Sequence, residues 1–169
     1  VNRPVLNRRA KVNSIDLNYH YSPQLKLTGN LINSIIDSEQ GYGFRVALDH
    51  TPNNSRTHNF KITYFDKKLD INDMGYMWRN DLMSIRSQSF FTQSDFKKES
   101  KVLSRTLMLF TNLRTTANGD KDSSFVGLAG FNMFKDTSGI EFESFYKPKG
   151  RDNLITRNYE FSPFVKRSE

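Results

Sequence analysis

Apolar and polar residues alternate with a period of two along most of the chain. Ile15, Leu17, Tyr19 and Tyr21 are separated by Asp16, Asn18 and His20. Further on, Tyr42, Phe44, Val46 and Leu48 are separated by Gly43, Arg45 and Ala47. Successive side chains of an extended chain point to opposite sides, so this spacing gives a strand one greasy face and one small, polar or charged face. Turn residues divide the pattern into about nine predicted strands, near 11–21, 25–36, 41–50, 58–67, 82–91, 101–112, 123–134, 140–146 and 154–164. The turn signals include Ser22-Pro23, Asp37-Ser38, Thr51-Pro52-Asn53-Asn54-Ser55, Asn118-Gly119-Asp120 and Lys135-Asp136-Thr137-Ser138-Gly139. No segment keeps a 3.6-residue apolar stripe for three turns, so no substantial helix is expected. Short links between consecutive strands predict an antiparallel up-and-down meander.

Strand length sharpens this all-β reading. Soluble sheets use strands of about five or six residues. Crossing a bilayer at a tilt takes about nine to eleven, and many of these blocks approach that length. The expected fold is therefore part of a transmembrane β-barrel, or an open curved sheet if the chain is a fragment. Residues 1–10 read as a linker or strand entry, and 11–169 as the barrel segment. In a barrel the Tyr, Phe and Leu face meets lipid. Asp16, Asn18, His20, Arg45, Asp49, Lys61, Ser84, Arg86, Gln88, Glu141 and Glu143 then line a watered lumen. A soluble sandwich would turn the greasy face inward instead. Alternation alone leaves both open. An odd strand count and the charged end Phe164-Val165-Lys166-Arg167-Ser168-Glu169 suggest an incomplete barrel. The chain begins at Val1 without an apolar leader, so a signal peptide is expected upstream.

Composition changes the picture in three ways. Only 36% of the 169 residues are hydrophobic, yet 13% are aromatic, with 14 Phe and 7 Tyr. With a mean hydropathy of -0.66, this suits a sheet with one apolar face better than a thick two-layer core. The net charge is +7, but Lys and Arg are dispersed and gather in turns, as at Lys97, Lys98, Lys147, Lys149 and Arg151. Solvated loop charge is the reading, and no nucleic-acid partner is expected. The chain has no cysteine, which excludes disulfides, Cys-based zinc sites and thiol catalysis. No run approaches 18 apolar residues, so the chain would span a membrane only as a closed barrel.

Residues 68–80 break the alternation. The segment reads Phe65-Asp66-Lys67-Lys68-Leu69-Asp70-Ile71-Asn72-Asp73-Met74-Gly75-Tyr76-Met77-Trp78-Arg79-Asn80-Asp81. It resembles a motif in a family of bacterial outer-membrane proteins of unknown function. In that family the barrel domain follows a module similar to family-nine carbohydrate-binding domains. Asn72, Asp73, Met74, Gly75, Tyr76, Arg79, Asn80 and Asp81 fall on the pattern Asn-Asp-hydrophobic-Gly-aromatic-x-x-Arg-Asn-Asp. The strands at 43–49 and 59–64 resemble the pair that the family places before it. The resemblance implies a location in the bacterial outer membrane, outer-membrane lipid as partner, and carbohydrate association through an upstream module. Two departures stand out: this chain carries no such module, and Trp78 occupies a site where the family often has a smaller or aliphatic residue.

The candidate site is Asp70, Asn72, Asp73, Tyr76, Trp78, Arg79, Asn80 and Asp81. One reading is a folded loop that plugs or braces the barrel wall. Gly75 would allow a positive φ, the Asn and Asp side chains would bond nearby backbone, and Arg79 would pair with Asp73 or Asp81. The other reading is a ligand platform, with Trp78 and Tyr76 stacking on a sugar ring while Asp and Asn bond its hydroxyls.

Other chemistry has weaker support. Glu141 and Glu143, or Asp70, Asp73 and Asp81, would be needed as paired acids for glycan hydrolysis, but neither set sits in a catalytic motif. His20, His50 and His58 lack metal-ligand spacing, and 70–73 lacks a full calcium-loop pattern. No phosphate loop, nucleophile elbow or triad spacing occurs. No cofactor or metal is expected. The expected function is non-enzymatic: a segment of an outer-membrane barrel with a structural, transport or carbohydrate-associated surface role. The alternative is a soluble all-β, lectin-like binding domain, and a glycan-acting enzyme ranks below both.

Overall fold

The computed structural model describes residues 2–3, 8–72, 77, 79–148, 160–161 and 164–168. Eight long strands dominate: β2 (Arg8–Ser22), β3 (Leu25–Ile36), β4 (Glu39–Asn53), β5 (Arg56–Phe65), β6 (Leu82–Gln93), β7 (Val102–Thr115), β8 (Phe125–Phe134) and β9 (Gly139–Lys147). Short pieces flank them, namely β1 (Asn2–Arg3), β10 (Glu160–Phe161) and β11 (Phe164–Ser168). Each long strand pairs antiparallel with the next, so the chain is an up-and-down meander. The expected boundaries hold to within a few residues. Part of the predicted 1–10 linker is extended: β1 pairs with the start of β2 through Asn2–Arg9 and Arg3–Arg8.

Of the two expected forms the open sheet is the one seen, and the strand count needs correction. The sheet is open and does not close into a barrel: β1 lies on the outer side of β2, and β10 and β11 lie on the outer side of β9. Among the described residues the long strands number eight, where about nine were expected. Of the predicted ninth strand, 154–159, 162 and 163 lie outside the described residues. Glu160 pairs with Lys147 and Phe164 with Glu143, so both short pieces run along β9 in one register.

Register sorts the side chains into two faces, because directly opposed residues share a side. One rung runs Leu17, Gly29, Val46, Ile62, Ile85, Leu113 across six strands. The rung one residue away runs Asn18, Thr28, Ala47, Lys61, Arg86, Asn112. A slip of one residue would exchange these sets, so the alternation fixes the pairing. The apolar face has no second layer over it among the described residues. Ile15 is 70% exposed, Leu31 57% and Leu113 46%.

Burial is instead concentrated on the polar face, where that face turns apolar. Ile32, Phe65 and Leu82 occupy it at one end, and the described residues of the segment 66–81 fold over them. Leu69 is fully buried there with Phe65 and Leu82, and Ile32, Ile71 and Met77 pack around it. Gly41 admits the segment: a Cβ on it would lie 2.3 Å from the Leu69 nitrogen and 2.4 Å from the Lys68 carbonyl carbon. A second apolar patch joins Phe110, Phe125 and Phe145, with ring centroids 5.1 to 6.1 Å apart. It covers Gly127, which stands between Phe110 and Phe145 in register.

Candidate functional site

The segment 66–81 is held by its own polar side chains. Asp66, just past β5, anchors its entry. The Asp66 carboxylate accepts the backbone N–H groups of Tyr42 at 2.8 Å, Lys68 at 2.6 Å and Leu69 at 2.9 Å. Such bonds are charge-assisted and stronger than neutral ones. Asp70 then ties the segment down, its N–H donating to the buried Ser34 hydroxyl on β3 at 3.0 Å. The Asp70 carboxylate accepts both the N–H and the side-chain amide of Asn72 at 2.9 Å, a local turn of the type Asp favours. Asn72 Oδ1 accepts the Met77 N–H at 3.1 Å. Asn80 Nδ2 donates to the carbonyls of Lys67 at 2.8 Å and Leu69 at 3.2 Å.

Two motif residues, Arg79 and Asp81, reach a second loop, 116–124, between β7 and β8. Asp81, with φ of 50°, accepts the Ala117 N–H at 3.0 Å. Arg79 Nη1 lies 3.0 Å from Asp122 Oδ2, and Arg114 Nη2 of β7 lies 3.7 Å from the same oxygen. The Asp122 side chain is completely buried. Two guanidinium groups beside one buried carboxylate compensate a charge that would otherwise be costly to desolvate. Asp122 also accepts the Ser123 N–H at 2.7 Å, and Ser124 Oγ accepts the Arg114 N–H at 2.8 Å.

No protein-family model, curated protein or solved structure matches the chain.

Of the expected site residues, Asp70, Asn72, Arg79 and Asn80 line one open groove of about 590 Å³, with Lys67 and Lys68 beside them. Asp81 faces the second loop instead. Asp73, Tyr76 and Trp78 lie outside the described residues, as does Gly75, so the stacking half of the ligand platform has no described geometry. Arg79 was expected to pair with Asp73 or Asp81: Asp73 lies outside the described residues, the Asp81 carboxylate accepts the Ala117 N–H, and Arg79 lies against Asp122. Sequence reasoning left Ser34, Asp66, Arg114 and Asp122 out of the site. Asp66 carried a signal, as an acid directly after an aromatic strand end. The other three carried none, because their partners lie on distant strands.

The histidines fall elsewhere. His50 and His58 face each other across β4 and β5 on the apolar face, with ring centroids 6.1 Å apart. His58 Nδ1 sits 2.9 Å from Ser89 Oγ and its ring meets Phe91 edge-on.

Proposed function

We propose that the chain is a segment of a bacterial outer-membrane β-barrel wall, non-enzymatic, with a structural or transport role. The observation that carries this reading is the bare apolar face. Soluble monomers rarely expose contiguous apolar patches beyond a few hundred Å². Here an aliphatic rung runs from Leu17 to Leu113 across six strands. Aromatic rings sit toward the strand ends on the same face, Tyr42 and Tyr64 at one end and Phe91 at the other. Membrane barrels place aromatic side chains at the two interfaces in this way. The long strands span 9 to 15 residues, enough to cross a hydrocarbon core at a tilt. The resemblance of 72–81 to the outer-membrane family supports the same reading and adds carbohydrate association through an upstream module. In the assembled wall the open edges would be closed by further strands.

The test uses the absence of cysteine, which allows single labels without background. Leu17→Cys, Ile62→Cys and Leu113→Cys, labelled with an environment-sensitive dye in lipid vesicles, should be quenched by nitroxide lipids. Asn18→Cys, Lys61→Cys and Asn112→Cys should be quenched by aqueous iodide instead. Equal aqueous access at both sets would overturn the membrane reading. A detergent-free monomer with Leu17 protected would support the lectin-like alternative.

A further inference from the structure

The polar face carries a cationic patch that the loop network leaves open. Lys61 of β5 is directly opposite Arg86 of β6. Like charges so placed repel. Neither has an acid as its other cross-strand partner, since Lys61 faces Ala47 and Arg86 faces Asn112. Arg45 is one rung away on β4, opposite Thr63, with its guanidinium 5.7 Å from the Phe65 ring centre.

The acids nearest the patch on this face are engaged, while Glu141 and Glu143 stand on β9, three strands beyond β6. Asn30 donates to Asp16, Asn59 donates to Asp49 at 2.7 Å, and Asp122 is held by Arg79 and Arg114. Arg45, Lys61 and Arg86 instead border a hollow of about 520 Å³ beside the segment 66–81, with Arg79 at its margin and Thr63 and Ser84 in its lining. No acidic residue is among its described lining residues. A concave surface of one charge sign with apolar walls focuses its field and concentrates counter-ions.

We propose that this hollow binds a small phosphate-class oxyanion, held by Arg45, Lys61 and Arg86. Guanidinium forks match the oxygens of phosphate in pairs, and the lysine adds a point charge. A bound dianion also removes the Lys61–Arg86 repulsion, so binding and sheet stability are linked. Sheet register brings the three cations together, so the site stands whether or not the apolar face meets lipid.

The experiment titrates the full 169-residue chain with pyrophosphate by calorimetry, in detergent micelles and in detergent-free buffer. Inorganic phosphate and glucose 6-phosphate, titrated separately, distinguish a free ion from a sugar phosphate. Saturable binding is expected, with a rise in thermal midpoint. The double variant Lys61→Gln/Arg86→Gln should weaken binding by at least about tenfold, the scale of one lost charged hydrogen bond. Lys11→Gln, on β2, should leave it unchanged. Arg86→Glu gives Lys61 an opposite charge, and should raise the thermal midpoint without ligand while abolishing binding. That variant guards against mistaking misfolding for lost affinity. No saturable binding by the wild type, or wild-type affinity in the double variant, overturns the proposal. Binding that matches chloride at equal ionic strength overturns it too.

Discussion

Asp122 shows how much one side chain decides here. Its carboxylate is buried, with Arg79 of one loop at 3.0 Å and Arg114 of β7 at 3.7 Å. Removing one partner of a buried pair leaves the remaining charge uncompensated, at a cost of about 3–5 kcal/mol. Asp122→Ala is therefore expected to lower unfolding stability by about 3 kcal/mol. Hydrogen exchange should speed up together at 66–72 and 116–124, because the Asp122 pair and the Asp81–Ala117 bond join these loops. A loss confined to 116–124 would show that Arg79 does not depend on the pair. None of this is local to the sequence. Asn118-Gly119-Asp120-Lys121-Asp122 reads as an ordinary turn, and nothing near it points to Arg79. By contrast, the backbone-bonding roles expected for Asn72 and Asn80 were legible, because short polar side chains bond nearby backbone by nature, whereas Asp81 bonds the distant Ala117.

Strands and turns follow the alternation closely, and the exceptions are instructive. Neighbouring apolar pairs mark where the polar face also turns apolar and is covered: Leu31-Ile32, Tyr64-Phe65 and Leu82-Met83 under the 66–81 segment, and Leu109-Phe110, Phe125-Val126 and Phe145-Tyr146 at the aromatic patch. Strict alternation has no place for such pairs, so they were a readable sign of local burial on the polar face. The turn between β3 and β4 was also readable in position, though not in geometry. Asp37 and Ser38 have φ of 49° and 94°, the left-handed pair that a two-residue hairpin demands. Left-handed backbone costs an L-residue roughly 1–2 kcal/mol, and glycine avoids this at some cost in unfolded-state entropy. Ser38→Gly should therefore stabilise the chain by about 0.5 kcal/mol, read as a higher urea midpoint at constant slope. A lower midpoint would mean that the serine side chain contributes more than the strain removes.

At the scale of the whole molecule the decisive property is an open, single-layer sheet. Among the described residues nothing covers its apolar face, and from residue 11 to 22 the outer edge of β2 has no strand partner. Exposed edges and apolar faces both promote association. In sedimentation the chain should be heterogeneous and self-associated in plain buffer, and monodisperse in detergent above its critical micelle concentration. A single sharp monomer in both would contradict this. The strands, their order and the division into two faces follow from the alternation, because a period of two and short turns allow few other arrangements. Three-dimensional packing alone settles that the sheet stays open, that Lys68 and Leu69 lie on the polar face over Gly41, and that Asp122 joins Arg79 to Arg114. It also set Lys61 against Arg86 across two strands. These outcomes depend on contacts between residues distant in the chain, and alternation specifies which side a residue faces without specifying what it meets there.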